Sequence, residues 1–341
     1  MTTLTRAQSA NRRRRVFLFT GIGHVLVLSL AAFAIAQIKW VTMAAISPLI
    51  IGIIAGILLS PYYQRKKRMA QGINFCAKKL LRAGIILYGF RVSLDGILGL
   101  GLHGIVMATV VVTGIFLLAT YIGPKFFGLD KESSMLVGCG SAVCGAAAVL
   151  AMESALRSSS TKSSVAVGTV LVFGLLAMVI YPIIYKLGLI PFNHYWEGFY
   201  VGGTLHEVAN VVGAGSAISP QTEEVGVVVK MIRVILLVPL LLTVSLSGFG
   251  QKGGKITIPW FAIGFLLCIG LNAILPLNTA IHNGLIWIDT LLLTMAMTAL
   301  GLEMRLSKFR EAGGKAFGLA TVLFLVLIFG GALLTWGLSQ W

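Results

Sequence analysis

Ser133-Ser-Met-Leu-Val-Gly-Cys-Gly-Ser-Ala-Val-Cys-Gly-Ala-Ala-Ala148 and Gly202-Gly-Thr-Leu-His-Glu-Val-Ala-Asn-Val-Val-Gly-Ala-Gly-Ser216 are apolar enough to enter a membrane. Neither is built as a plain spanning helix. Both are crowded with Gly, Ala, Ser and Thr, and the second carries His206, Glu207 and Asn210. In a bilayer, irregular or polar backbone survives only where protein or a water-filled cavity surrounds it. Interrupted segments near the middle of a polytopic chain point to the substrate site of a transporter.

The surrounding composition sets the class. Of 341 residues, 57% are hydrophobic and 11% charged, with a mean hydropathy of +0.93. Soluble domains are roughly 25% charged. Several apolar runs reach the roughly 20 residues that cross a hydrocarbon core as helix, and the alternation of a membrane β-barrel is missing. The expected fold is an all-α polytopic membrane protein.

The net charge of +16 does not signal nucleic-acid binding, because the basic residues sit in short loops between apolar runs. Cys76, Cys139, Cys144 and Cys268 lie in or beside apolar segments and form no CxxC pair. A disulfide framework or zinc site is not expected, and no cofactor motif stands out.

Nine spans read clearly: Val16–Ile38, Ala44–Leu59, Ile73–Leu94, Gly104–Ile122, Val165–Tyr185, Val225–Ser247, Ile258–Leu275, Leu285–Met304 and Phe317–Trp336. The interrupted segments Ser133–Glu153 and Tyr200–Ala217 either cross or re-enter. Arg12–Arg15 before an apolar run ending in Ala34-Ile-Ala36 resembles a signal peptide, but the run is longer than a signal core. It reads as an uncleaved first helix. Residues 1–15 then form a basic cytoplasmic tail and 16–341 one transmembrane domain.

The basic loops Arg12–Arg15, Arg65–Arg68, Lys125–Lys131, Lys252–Lys255 and Arg305–Lys315 are all expected in the cytoplasm. Re-entry of both interrupted segments also places Arg157–Lys162 there, which favours re-entry. The N-terminus is then cytoplasmic and the C-terminus outside. A shift of 212 positions pairs Gly52 with Gly264, Gly89 with Gly301, Leu94 with Leu306, Gly101 with Gly313 and Thr109 with Thr321. This faint match suggests inverted-topology repeats.

Four groups of residues bear on chemistry. Lys230 and Arg233 are three apart on one helix face, inside an apolar run. A charge within a span is a functional-site hypothesis, against which stand snorkelling and structural pairing. His206-Glu207 begins like a zinc-protease motif, but the second His falls on Asn210, so the metal reading fails. That cluster can bind substrate, carry a proton, pair with Lys230 and Arg233, or simply hold helices together. Gly138-Cys-Gly-Ser-Ala-Val-Cys-Gly145 offers free N–H groups to an anion if a helix starts or breaks there; Ser141 adds a hydroxyl. Close packing by small residues is the alternative. Finally, Glu153, Arg157 and Lys162 suggest a cytoplasmic-side charge cluster. Arg91, Asp95 and His103, and Asp289 and Glu303, read as structural or interfacial charges.

Gly140-Ser-Ala-Val-Cys-Gly-Ala-Ala-Ala148, Val172-Phe-Gly174, Tyr181-Pro182, Thr204-Leu-His-Glu-Val-Ala-Asn-Val211, Lys230-Met-Ile-Arg233 with Pro239, and Leu81-Arg-Ala-Gly-Ile-Ile-Leu-Tyr-Gly-Phe90 occur in order. Together they resemble the YeiH family, to which export of sulfate is ascribed and small organosulfonates are also proposed. The resemblance runs from about Pro48 to Trp336. It implies a bacterial inner-membrane secondary transporter. Ala142 departs from a frequent Ser and Asn210 from a frequent Gln, which alters a hydroxyl and an amide near the implied site.

The combined expectation is secondary transport of a small anion, such as sulfate or an organosulfonate, by alternating access. The expected substrate-binding residues are Gly138, Gly140, Ser141, Cys144, Gly145, His206, Glu207, Asn210, Lys230 and Arg233. The partners are the small anion, protons or another coupling ion, and the lipid bilayer, with a homodimer left open. An anion channel or passive pore is the alternative. No Ser–His or metal arrangement supports an enzyme.

Overall fold

A computed structural model describes residues 6–39, 41, 47–66, 68–247, 259–275, 277–303 and 313–341. The Lys252–Lys255 loop and residues 305–312 of the Arg305–Lys315 loop lie outside the described residues, as does the side chain of Asp95. Among the described residues the chain is all-helical, with no strand. Six helices are long and apolar enough to cross a membrane: Arg15–Ala36, Gly99–Phe127, Ser160–Lys186, Pro220–Leu246, Thr279–Glu303 and Gly314–Ser339.

Three of the nine expected spans take a different form. Pro48–Gln64 and Trp260–Ile274 are shorter apolar helices. The expected Ile73–Leu94 span is a continuous helix from Ala70 to Tyr88, in which Ala70–Phe75 and Leu81–Tyr88 are joined by a π-helical turn at Cys76–Leu80. It ends six residues early, before a turn at Gly89–Arg91.

The chain divides into two compact units, residues 1–91 with 264–305, and residues 92–263 with 306–341. In the first unit lie α1 (Arg6–Ala36), α2 (Pro48–Gln64), α3 (Ala70–Phe75), α4 (Leu81–Tyr88), most of α13 (Trp260–Ile274) and α14 (Thr279–Glu303). Its core joins Val25, Ile73, Cys76, Ala77, Met295, Ala299 and Leu302. Between membrane helices, small residues permit the close approach that dispersion requires. Gly56 and Gly301 bring α2 and α14 into backbone contact, since a Cβ at Gly56 would lie 2.9 Å from the Cα of Gly301. Hydroxyls add to this: Ser60 Oγ donates to the Leu302 carbonyl at 3.1 Å across the same seam, and Ser29 Oγ ties α1 to α14 by donating to Thr298 Oγ1 at 3.2 Å. The charges expected to be structural do pair here. Arg91 Nε lies 2.7 Å from the fully buried Asp289 carboxylate, and Asn74 Nδ2 donates to Glu303 at 3.1 Å.

The second unit holds α5 (Leu94–Phe127), α6 (Lys131–Ala142), α7 (Ala146–Leu156), α8 (Ser160–Lys186), α9 (His194–Thr204), α10 (Val208–Ser216), α11 (Pro220–Ile235), α12 (Leu237–Leu246) and α15 (Gly313–Ser339). The α11–α12 step precedes Pro239, which has no N–H to give the Ile235 carbonyl four residues back.

Each interrupted segment is a helical hairpin that returns to the end from which it began. In the first, α6 and α7 fold back at Val143–Gly145. Cys139 Sγ reaches the Ala148 carbonyl at 3.6 Å near the tip, and Ser158 Oγ donates to Glu132 at 3.1 Å near the base. In the second, α9 and α10 fold back at Leu205–Glu207. Gly198 packs on Val225 and Gly202 on Gly226, so α9 and α11 run the same way. Gly215 abuts Glu223 and Gly226 abuts Val211, so α10 runs the opposite way. Thr222 Oγ1 donates to the His194 carbonyl at 2.9 Å, closing the base.

Helix α8 connects the two hairpins and measures their depth. Lys162, near its start, bonds Glu132 at the base of the first hairpin. Midway along, Val170 touches Gly140 and Gly174 touches Asn210. Near its end, Tyr185 lies against His194 at the base of the second hairpin. The hairpins therefore enter the unit from opposite ends, and their tips meet at its middle.

Caps explain why the helical arms begin where they do. The Asp130 carboxylate accepts the Ser133 amide at 2.8 Å, and Asn193 accepts the Trp196 amide at 3.0 Å. The second cap starts α9 at His194, six residues ahead of the expected Tyr200–Ala217 segment. The expected Glu153–Arg157–Lys162 cluster is also assembled differently. Lys162 pairs with Glu132 at 2.9 Å and Asp130 at 3.2 Å, while Arg157 takes a left-handed conformation at the end of α7. Burial pushes the Asp130 carboxyl up, but the Ser133 amide and Lys162 outweigh it and hold it below the usual range.

Candidate functional site

Four helix ends converge where the hairpin tips meet. Two are C-terminal, those of α6 and α9, and two are N-terminal, those of α7 and α10. A helix leaves its last four carbonyls and its first four amides without intrahelical partners. Its ends carry roughly half a negative and half a positive charge respectively. In a membrane interior both sets of orphans need partners.

Arg233 and Lys230, on α11 and both fully buried, serve the C-terminal ends. Arg233 Nε donates to the Ala142 carbonyl at 3.0 Å and Nη2 to those of Ala142 at 2.6 Å and Ser141 at 3.1 Å. Nη1 donates to Gly202 at 3.2 Å and Leu205 at 3.0 Å. The guanidinium has five N–H donors, and these five bonds engage all of them on carbonyls from both hairpins. Lys230 Nζ donates to the same Leu205 carbonyl at 2.5 Å. The three-residue spacing does place both cations on one face. That face is turned to backbone, and neither cation snorkels to an interface.

The N-terminal ends behave differently. Glu207 Oε1 accepts the Ala146 amide at 3.2 Å, across the junction from the second hairpin to the first. Its carboxylate lies in the electrostatic reach of Lys230. Gly145 makes this approach feasible. Its φ of +73° and ψ of −133° suit glycine alone, and a Cβ there would run into the Glu207 side chain.

The other expected residues take up distinct positions. Gly138 packs on Ala119, and Gly140 between Val149 and Val170. Both belong to the last turns of α6, as does Ser141. The free amides therefore start at Ala146, past the Gly138–Gly145 stretch, because α6 ends there and α7 begins after it. Cys144 is a buried free thiol at the tip. Ala142 contributes its carbonyl, which no change of side chain removes. Asn210 is buried against Gly174. His206 is 1% exposed, its ring centroid 6.3 Å from that of Phe324, and its Nδ1 has no hydrogen-bond partner among the described residues.

Sequence reasoning missed the carbonyls of Gly202 and Leu205, the Ala146 amide and the Phe324 ring. Backbone groups leave no residue signature. It also passed over Glu197, 1% exposed on α9, and the stacked Tyr181 and Tyr200 rings 4.7 Å apart.

The sequence matches the family described as Conserved hypothetical protein 698 over residues 20–320. The chain belongs to this family. It is 45% identical to a UPF0324 membrane protein of Wolinella succinogenes, covering 91% of this chain and 95% of the relative. It is 44% identical to one of Campylobacter jejuni, covering 91% of both chains. It is 43% identical to one of Pseudomonas putida, covering 92% of this chain and 93% of the relative. No solved structure matches the chain. With six apolar helices of spanning length and relatives named as membrane proteins, this is a multi-pass membrane protein.

Proposed function

We propose that the protein is a secondary transporter of a small anion, working by alternating access. One observation carries this reading: the tips of two opposed hairpins meet midway along α8, where two helix N-termini converge with the buried Lys230 and Arg233. With both protonated, Lys230 and Arg233 outweigh the two C-terminal helix ends they bond. The two N-terminal ends, at roughly half a charge each, are offset by Glu207 alone. The first-turn amides of α7 and α10 suit an anion's oxygens. Discontinuous helices at mid-depth are the usual place for a substrate in secondary transporters.

In this reading Lys230 and Arg233 set the field and hold the tips, and His206, Asn210 and the tip residues Cys144 and Gly145 line the anion's surroundings. The resemblance to the YeiH family supports sulfate or a small organosulfonate as substrate. The basic loops support a cytoplasmic N-terminus in a bacterial inner membrane. The opposed hairpins support a two-fold inverted arrangement.

Flux in proteoliposomes tests the reading. Saturable sulfate or methanesulfonate uptake, accelerated by the same anion on the far side, is the expected result. Flux that rises linearly with concentration, or unitary currents, would make the protein a pore.

A further inference from the structure

Glu207 fits poorly as a mere structural group. A buried carboxylate is costly unless it is paired and hydrogen-bonded, and the bond described for Lys230 is to the Leu205 carbonyl. What Glu207 accepts is the Ala146 amide, at the first turn of an 11-residue helix. A carboxylate oxygen there holds the position that an oxyanion would take. The adjoining backbone is shaped to admit it: Gly145 is the residue against which the Glu207 side chain lies. One residue back at the same fold-back, His206 is 1% exposed and its Nδ1 has no hydrogen-bond partner among the described residues, a buried polar atom within the same tip.

We propose that Glu207 is a built-in competitor for the transported anion. When the site is empty its carboxylate occupies the α7 N-terminus. When an anion arrives, Glu207 takes a proton from the side of arrival, releases the Ala146 amide and yields its place. Anion and proton then leave together, and Glu207 returns to the amide as carboxylate. This inference rests on the anion-transport reading above. The titratable and charged groups facing Glu207 are Lys230 from α11, with Arg233 behind it on the same helix, Cys144 from the tip of the first hairpin, and His206 from its own strand of backbone. Two of these are cations fixed on carbonyls. The carboxylate is the negative group whose hydrogen bond is to an anion-type donor.

Glu207→Gln keeps the size and loses the charge. The experiment measures inorganic sulfate and methanesulfonate binding to the purified full chain, between about pH 5.5 and pH 8.5, by ligand-induced thermal stabilisation. Linkage requires that affinity coupled to one proton fall about tenfold per pH unit above the titration of the coupled group. The wild type should show that fall and Glu207→Gln should be flat. In proteoliposomes the variant should lose sulfate accumulation driven by a pH gradient. Glu207→Asp, with a carboxylate one methylene shorter, covers the case in which the amide variant does not fold. It should bind sulfate more tightly than the wild type at high pH. A wild-type pH slope retained in Glu207→Gln overturns this inference alone, as does unchanged affinity in Glu207→Asp. Absence of binding by either anion to the wild type at every pH overturns the anion reading and this inference with it.

Discussion

Arg233 Nε and the Ala142 carbonyl lie 3.0 Å apart, and that bond ties the end of the first hairpin's leading arm to the long helix α11. The same guanidinium holds Gly202 and Leu205 from the second hairpin. Arg233 thus closes the junction between two segments more than 50 positions apart in the sequence. An unsatisfied buried acceptor costs about 1–3 kcal/mol, and Arg233→Ala would strand three carbonyls, those of Ser141, Ala142 and Gly202, while Lys230 keeps that of Leu205. Destabilisation of at least about 3 kcal/mol is expected. Arg233→Lys, with three donors on one nitrogen, should fall between the two. Thermal unfolding in detergent without added anion checks this. Unchanged unfolding temperatures would mean that the guanidinium bonds are dispensable for the fold.

Gly145→Ala should disturb the tip even though it adds one methyl group. Its φ of +73° is a conformation that residues with a Cβ avoid, at about 1–3 kcal/mol. The new methyl would also displace Glu207 from the Ala146 amide. Lower thermal stability is expected, with increased hydrogen exchange at Ala146. An Ala146 amide protected as in the wild type would contradict this.

The first unit makes its own prediction. A Cβ at Gly301 would lie 2.9 Å from the Ile57 nitrogen and 3.0 Å from the Gly56 Cα. Backbone cannot yield as a flexible side chain does. Gly301→Val should cost about 1–3 kcal/mol or more through overpacking. Gly284→Val, on the same helix with open space around it, is the matched control. Equal unfolding temperatures for the two variants would refute the close-packed seam.

Asp130 gives a pH-dependent effect whose sign follows from its depressed carboxyl pKa. Such a group adds stability above its unfolded-state value, about 3.9, and that contribution fades as pH falls through the folded value. Asp130→Ala also removes an N-cap, at about 0.5–2 kcal/mol. The variant should be less stable than the wild type at neutral pH, and the gap should narrow below about pH 4. Paired thermal melts across that range test it. A gap that widens in acid would reverse the assignment.

The membrane class and the two broken segments were legible because composition and small-residue crowding are local signals. Their fold-back was legible only indirectly, through the sign of the charge at Arg157 and Lys162. Those residues do lie with Asp130 and Glu132 at one hairpin base. The early end of the expected Ile73–Leu94 span was hidden because Phe90, Val92 and Leu94 prolong the apolar run past Gly89, Arg91 and Ser93, the residues at which the chain turns. Lys230 and Arg233 stood out as charges in an apolar run, but their direction did not. It depends on carbonyls from Ser141, Ala142, Gly202 and Leu205, and a carbonyl is the same in every residue. The expected Tyr200–Ala217 segment starts later than α9 does, because the aromatic residues from His194 onward look interfacial and the helix start is set by the single Asn193 cap.

The opposed hairpins have one more consequence. Part of the field at their tips, two helix N-termini set against two C-termini, comes from peptide dipoles, which belong to the path of the chain. A substitution can move the cations, the carboxylate or the imidazole, but none can delete the amides of Ala146 or Val208 short of proline. A complete mutational scan would therefore report the supports of this region, Arg233 and Gly145 foremost, and stay nearly silent on the groups that create its field. Descendants of this sequence are free to retune the surroundings of the tips while inheriting that field unaltered with the topology.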